Sequence, residues 1–538
     1  MSDAVIAIEG LTVDLPSWSD RPRAVEDVSL KIMANEILCV VGESGSGKSV
    51  MSKAILRLLP EPHVRVSKGR ILFEGRDLLT LNEDQIRDVR GGRISMIFQE
   101  PMTALNPLMP VGRQIDEVLE VHSGLDPGAR RQRVLELFED VRLPEPARLL
   151  ASYPHELSGG QRQRVMIAMA LALEPALIIA DEPTTALDVT TQAQILSLMK
   201  DIQRRHGTSI LFITHDFGVV AEIADRVAVM RHGRLVEQGL SEEVLSDPRE
   251  TYTQDLIAAV PSLKPRHKAG TRDVDQPVLA VRNLEKTYGG GSGLFGRRGR
   301  TVKAVADVSL EVDSGQSLAV VGESGSGKST LARCIVGLET PDGGDVLLNG
   351  VNIARLSRAQ LRPHRRVVQM VFQDPFASLN PRQKIRDIIS LGPYIQGTPK
   401  EEAWEDARKL LELVGLNPQS AERYPHEFSG GQRQRIGIAR ALAIRPQLII
   451  ADEPVSALDV SVQKQVLDLL DELRRTLSLS MLFITHDLRV AAHVCEQIVV
   501  MRNGELVERG STAEIFANPR HDYTKALLES VPGKAWRH

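Results

Sequence analysis

Short, mostly apolar runs punctuate this chain, and each gives way to a stretch with helical spacing. The runs include Ile37–Val41, Ile94–Phe98, Leu177–Ala180 and Ile210–Thr214 in the first half. They return as Leu318–Val321, Val367–Phe372, Leu448–Ala451 and Met481–Thr485 in the second. Apolar β-type runs alternating with helices predict a mostly parallel α/β core. Between Gln99 and Ser158 the pattern turns helical, with Val134, Leu135, Leu137, Phe138 and Val141 on one face. That predicts a small helical subdomain set into the core. Val278–Val281 and Val308–Leu310 read as strands of an opening sheet, which makes the Gly/Arg-rich segment Gly289–Arg300 a long hairpin loop.

The two halves are copies. Ala24–Leu30 returns as Ala304–Leu310, Tyr153–Gln161 as Tyr424–Gln432, Ala180–Pro183 as Ala451–Pro454 and Phe212–Asp216 as Phe483–Asp487. A period this long means two whole domains rather than a solenoid. Lys48 and Lys328 stand 280 residues apart, Gln99 and Gln373 274, and Ser158 and Ser429 271. The first copy therefore holds extra residues near Leu59–His63 and again before Ser158, as surface loops allow. The expected domains are 1–260 and 278–538, joined by a linker over 261–277 rich in Pro, Lys, Arg and Asp.

A chain of 538 residues is too long for one core. Its net charge of −4 supplies no basic field for a polyanion, and 4% aromatics supply no base-stacking surface, so no nucleic-acid partner is expected. Cys39, Cys334 and Cys495 are far apart, which excludes a disulfide framework or a zinc site and points to a reducing compartment. Cys39 reads as a small buried residue. No signal peptide and no apolar run long enough for a bilayer is visible, since Leu171–Ala180 is short and broken by Glu174 and Pro175. If the protein works at a membrane, other chains must cross it.

The chemistry starts at a loop that occurs twice. Gly42-Glu43-Ser44-Gly45-Ser46-Gly47-Lys48-Ser49, then Val50, recurs as Gly322-Glu323-Ser324-Gly325-Ser326-Gly327-Lys328-Ser329, then Thr330. A strand feeding such a loop into a helix places backbone N–H groups around nucleotide phosphates. Lys48 and Lys328 would reach the β- and γ-phosphates, while Ser49 and Ser329 would hold Mg²⁺. Asp181-Glu182 and Asp452-Glu453 end apolar strands beside those loops. Asp181 and Asp452 would hold Mg²⁺, and Glu182 and Glu453 would orient or deprotonate the attacking water. His215 and His486, each after an apolar strand, can bond a γ-phosphate and that water. Gln99 and Gln373 end strands and are candidate ligands of Mg²⁺ or its water. His155 and His426 read as structural. Ser158-Gly159-Gly160-Gln161 and Ser429-Gly430-Gly431-Gln432 precede strong helices, the first over Arg162–Leu173. Serine is a natural N-cap, and the paired glycines would let the backbone approach an anion, for which an ordinary capped helix has no need.

In this order the chain resembles the ATP-binding cassette family over almost its whole length, Phe428 replacing the leucine before one Ser-Gly-Gly-Gln. Ala186-Leu187-Asp188 and Ala457-Leu458-Asp459 belong to the same pattern. The resemblance implies two tandem P-loop domains of α/β class, each a RecA-like core with an antiparallel β subdomain and an inserted helical subdomain. It implies head-to-tail packing, with Ser429-Gly430-Gly431 closing over the nucleotide of Lys48 and Ser158-Gly159-Gly160 over that of Lys328. Both copies keep the glutamate, histidine and signature, so two hydrolytically competent ATPase sites are expected.

Phe98-Gln99-Glu100-Pro101 through Pro107, its twin Phe372–Pro381, and the C-terminal Asp247-Pro248…Tyr252-Thr253 and Asn518-Pro519…Tyr523-Thr524 resemble the peptide/nickel importer ATPases. That subfamily implies a peripheral protein on the cytoplasmic face of a bacterial inner membrane. Its implied partners are two transmembrane permease subunits and, indirectly, an extracytoplasmic solute-binding protein. The solute would be a peptide or peptide-like, with nickel, glutathione, opine and peptide antibiotic as alternatives. A soluble twin-cassette ATPase acting on ribosomes or DNA is a rival, disfavoured by the lack of a long charged linker. An exporter is disfavoured by the importer-like segments. Two departures follow from the family pattern. No cysteine cluster stands near either C-terminus, so no iron–sulfur centre is expected. Tyr288 fits an adenine-stacking position in the second copy, whereas the first has Leu15 there with Trp18 nearby, which implies weaker nucleotide binding at the Lys48 site.

Overall fold

The computed structural model describes residues 4–185, 187–266, 276–289, 301–456 and 458–536. The hairpin loop expected over Gly289–Arg300, most of the linker, and Ala186 and Ala457 lie outside the described residues. The chain divides into two compact units, Met1–Leu187 with Thr191–Val260, and Pro261–His538 with Asp188–Thr190.

In the first unit six strands form one sheet, in the order Arg234–Leu240, Arg226–Arg231, Ile37–Val41, Ser209–Ile213, Leu177–Asp181 and Ile94–Ile97. All neighbours are parallel except the outermost pair Arg234–Leu240 and Arg226–Arg231. The continuous apolar runs are explained by this placement: Ile37–Val41, Leu177–Asp181 and Ser209–Ile213 are buried at every position. A second sheet, ordered Arg23–Met33, Ala4–Asp14, Arg65–Phe73 and Arg76–Asp77, is antiparallel. Arg23–Met33 alternates buried and open positions, as a strand with one wet face does. Ile6, Leu11, Val28 and Phe73 from this sheet share a core with Val40, Ile179 and Ile213 of the other.

The second unit repeats the plan. Its six-stranded sheet runs Val368–Val371, Leu448–Asp452, Ser480–Thr485, Ser317–Val321, Gln497–Arg502, Glu505–Ser511, again with one antiparallel edge pair. Leu279–Tyr288 pairs antiparallel with Val302–Val312.

The helical insertion consists of Pro101–Ala104, Val111–His122, Pro127–Asp140, Pro146–Leu149 and Gly159–Leu171. On Pro127–Asp140 and its C-cap, Val134, Leu137, Phe138 and Val141 are buried while Leu135 is only half-buried. The last helix begins three residues before the expected Arg162, because Ser158 caps it and both glycines form its first turn. The extra residues of the first copy include a turn over 60–63 with a cis Glu61–Pro62 bond.

Candidate nucleotide site

In each unit the phosphate loop leaves the central strand of the six-stranded sheet and turns directly into a helix, Lys48–Ile55 or Lys328–Ile335. Two glycines make that turn possible. Gly42 and Gly47 have φ of 150° and 103°. A Cβ on Gly42 would lie 2.2 Å from the Met230 carbonyl oxygen, and one on Gly47 would lie 2.4 Å from that of Ala24. At Gly322 and Gly327 the same clashes arise with Met501 and Ala304, at 2.1 and 2.0 Å. Neighbouring backbone thus packs directly on the loop, and no side chain fits at either position.

Lys48 is buried, and its Nζ donates to the carbonyls of Gly42 (2.7 Å) and Glu43 (2.9 Å). Lys328 does the same with Gly322 and Glu323, both at 2.8 Å. Burial holds the Lys328 ammonium below its usual range, against the pull of Glu453 and Asp452. The Ser49 hydroxyl donates to Asp181 at 2.8 Å and that of Ser329 to Asp452 at 3.1 Å. Burial raises both aspartates despite these bonds. Hydroxyl and carboxylate oxygens side by side are the hard donor set that suits Mg²⁺.

The next residue on each strand end bends away. Glu182 and Glu453 adopt left-handed backbone, with φ of 48° and 45°, a sparse conformation for a non-glycine residue. This turns each carboxylate toward a glutamine and a histidine. Gln99 Nε2 donates to Glu182 at 3.1 Å, and His215 Nδ1 lies 3.4 Å from the same carboxylate. In the second unit Gln373 is 2.9 Å and His486 3.2 Å from Glu453. Burial works to raise the Glu182 carboxyl, but the bond and charge of His215, with Thr185 and Lys48, outweigh it and hold it at about 2. Glu453 is lowered in the same way through His486. Burial works to lower both imidazoles, and the facing glutamates raise them instead.

Each Ser-Gly-Gly-Gln starts a helix through a capping box. Gln161 N–H donates to Ser158 Oγ at 3.2 Å and Ser158 N–H to Gln161 Oε1 at 2.9 Å, and the second copy repeats this at 3.4 and 3.1 Å. The glutamine side chains are therefore committed to their own helix. The second glycine of each pair has a packing reason of its own. A Cβ on Gly160 would meet Thr191 Cγ2 at 2.6 Å, and one on Gly431 would meet Val462 Cγ1 at 2.2 Å. Helix packing inside each unit already demands the second glycine. Only Gly159 and Gly430, whose Cβ would make ordinary contacts at 3.8 and 3.7 Å with Leu187 and Leu458, lack such a reason.

Sheet register shows which residue of the first unit stands where Tyr288 stands in the second. Asp14 faces Arg23 and Thr287 faces Lys303, and the partner strands are the repeated segment, so Leu15 corresponds to Tyr288. Tyr288 is 39% exposed and donates its hydroxyl proton to Glu339, while Thr330 also bonds it. Leu15 instead packs on the core of its unit, and Trp18 is 76% exposed with its ring edge-on to His63. Arg21 was not singled out in the sequence, yet its guanidinium donates to the Gly45 carbonyl of the phosphate loop. Thr185 was also missed, although its hydroxyl bonds Glu182 at 2.9 Å. Its counterpart Ser456 bonds the backbone carbonyl of Glu453 instead. His155 and His426 are exposed and stack on Tyr153 and Tyr424. The three thiols are buried.

A family model described as ABC transporter matches residues 25–185 and 305–456, covering both phosphate loops and both Asp-Glu pairs. The chain belongs to the ABC transporter family. A second model, the oligopeptide/dipeptide transporter C-terminal region, matches 236–291 and 507–536 of this ABC protein. A peptidoglycan transport ATP-binding protein, YejF, from Agrobacterium fabrum is 49% identical over 98% of this chain and 96% of its own length. A glutathione import ATP-binding protein, GsiA, from Escherichia coli O6:H1 is 46% identical over 98% of this chain and 89% of its own. Among solved structures, the dimeric post-hydrolysis state of the cassette MJ0796 with ADP and Pi is 30% identical, covering 44% of this chain and 98% of that one at a TM-score of 0.40. The protein is an ABC ATPase built of two cassettes. Among the described residues no helix is long and apolar enough to cross a membrane.

Proposed function

We propose that this ABC ATPase powers the import of peptides or peptide-like solutes from the cytoplasmic face of the bacterial inner membrane. Cassettes over 1–260 and 278–538, joined by 261–277, would bind two ATP molecules and drive two permease subunits fed by an extracytoplasmic solute-binding protein. The observation that carries the reading is the Gln–Glu–His cluster beside a phosphate loop, present in both units. Relatives named for peptidoglycan transport and glutathione import, together with the oligopeptide-type C-terminal match, support a peptide-like solute.

Ser49 with Asp181, and Ser329 with Asp452, would hold Mg²⁺, joined by Gln99 or Gln373 once the amide leaves its glutamate. Bound there, Mg²⁺ would neutralise phosphate charge. Lys48 or Lys328 would release the loop carbonyls and turn to the β- and γ-phosphates. Glu182 or Glu453, kept ionised, would orient a water and accept its proton. His215 or His486 would donate to the γ-phosphate oxygen while holding the glutamate in place. Ser158-Gly159-Gly160 and Ser429-Gly430-Gly431 would complete the opposite sites through their helix N-termini, each adding roughly 0.3–2 kcal/mol toward a bound anion.

A contact surface for a permease is supported by an apolar groove of about 240 Å³ in the first unit, lined by Leu56, Leu58, Phe98, Leu105, Met166 and Met169. Uptake of radiolabelled di- and tripeptides into cells carrying the gene, compared with a deletion strain, tests the function. Equal uptake in both strains across peptides, glutathione and muropeptides would overturn the solute assignment.

A further inference from the structure

The C-terminal helices Thr251–Ala259 and Asp522–Glu529 each send one tyrosine onto a phosphate loop. Tyr252 Oη accepts a hydrogen bond from the Glu43 N–H at 3.3 Å, and Tyr523 Oη accepts one from the Glu323 N–H at 3.0 Å. Both tyrosines are buried. Each ring is clamped from the other side, with the Arg231 guanidinium 4.6 Å from the Tyr252 centroid and that of Arg502 4.7 Å from Tyr523. Those arginines directly follow Met230 and Met501, whose carbonyls close on Gly42 and Gly322.

The helix starts are tied down as well. The Glu237 carboxylate accepts from the N–H groups of Arg249 (2.8 Å) and Glu250 (3.3 Å). Glu508 accepts from Arg520 (2.7 Å) and His521 (3.1 Å). An unbroken chain of contacts thus runs from an edge strand through a helix to the first turn of the phosphate loop, within each unit. It is kept in both copies, although they differ at Leu15 and Tyr288 and at Thr185 and Ser456. Burial pushes both phenols up to about 12, so the contact does not titrate near neutral pH.

We propose that Tyr252 and Tyr523 are positioning residues for the nucleotide. By occupying the Glu43 or Glu323 N–H from outside, each phenol pre-sets the loop in the shape that presents its remaining N–H groups inward. ATP then binds without having to order the loop, which lowers the free-energy cost of association. The proposal rests on the reading of these loops as nucleotide sites.

The test uses the full chain with Lys328→Ala blocking the second site, with and without Tyr252→Phe. Phenylalanine keeps the ring and its packing on Arg231 and removes only the hydroxyl. Loss of one such hydrogen bond predicts roughly a 3–10-fold rise in the ATP dissociation constant. In the otherwise unmodified chain, Tyr252→Phe with Tyr523→Phe should raise the KM for ATP while kcat stays within about twofold. Amide exchange supplies a readout independent of activity: the Glu43 N–H should exchange faster while the strand Ile37–Val41 keeps its protection. Unchanged ATP affinity with unchanged Glu43 exchange would overturn the proposal. Accelerated exchange throughout the central strand would also overturn it, by showing a role in overall stability. If the Lys328→Ala chain with Tyr252 intact binds no ATP, the nucleotide reading itself fails, a result distinct from either.

Discussion

Glu182 and Glu453 stand at the centre of the proposed chemistry, and their backbone explains how they are placed. Left-handed φ swings each carboxylate off the strand and onto a histidine. Glu182 is held at about 2, so its share of stability is present above the ordinary carboxylate range and is lost as pH falls toward that value. His215 is raised, so its share is present below about 6.5 and is lost as pH climbs through the raised value. Glu182→Gln removes the strongest influence raising His215, leaving burial and Lys48 opposed by the charge of Asp216. The midpoint of the His215 ring titration followed by NMR should then fall; an unmoved midpoint would show that the pair is not coupled. Identity and neighbourhood of these residues were legible in the sequence because strand ends and the exact repeat fixed them. Thr185 and Arg21 were not, because each acts through a single side-chain reach that no spacing announces.

Elements were legible where burial is uniform. The uniformly buried strands match apolar runs visible in the chain, because a strand covered on both faces leaves little room for polar positions except at its ends. The signature helix was less legible. Its second glycine looked like a concession to an anion, whereas a β-branched side chain on the next helix of the same unit already excludes a Cβ there. Val462 has one strongly preferred χ1 in a helix and cannot easily step aside. Gly431→Ala should therefore destabilise the ligand-free chain by about 1–3 kcal/mol, read from the urea midpoint. Gly430→Ala should shift it by under ~0.5 kcal/mol. Equal effects at the two positions would return both glycines to a common explanation.

The whole molecule is a duplication whose Gln–Glu–His clusters match and whose proposed adenine positions, Leu15 and Tyr288, do not. Tyr288→Ala should weaken ATP at the Lys328 site by about 0.5–1.5 kcal/mol, while Trp18→Ala should leave the Lys48 site unchanged. Titrations with the other lysine replaced by alanine would check both; a loss at Trp18 equal to that at Tyr288 would remove the proposed asymmetry. The solute stays outside what this chain can encode, because in the proposed assembly it touches only the permeases and the binding protein. The central claim is that both cassettes hydrolyse ATP through their glutamates. It is tested most directly by ATPase rates of the full chain carrying Glu182→Gln, Glu453→Gln or both, with ATP binding measured alongside. ATP binding should be retained in all three, with a large loss of turnover in each single variant and none detectable in the double. Substantial turnover in the double variant, or a single variant as fast as the unmodified protein, would contradict it.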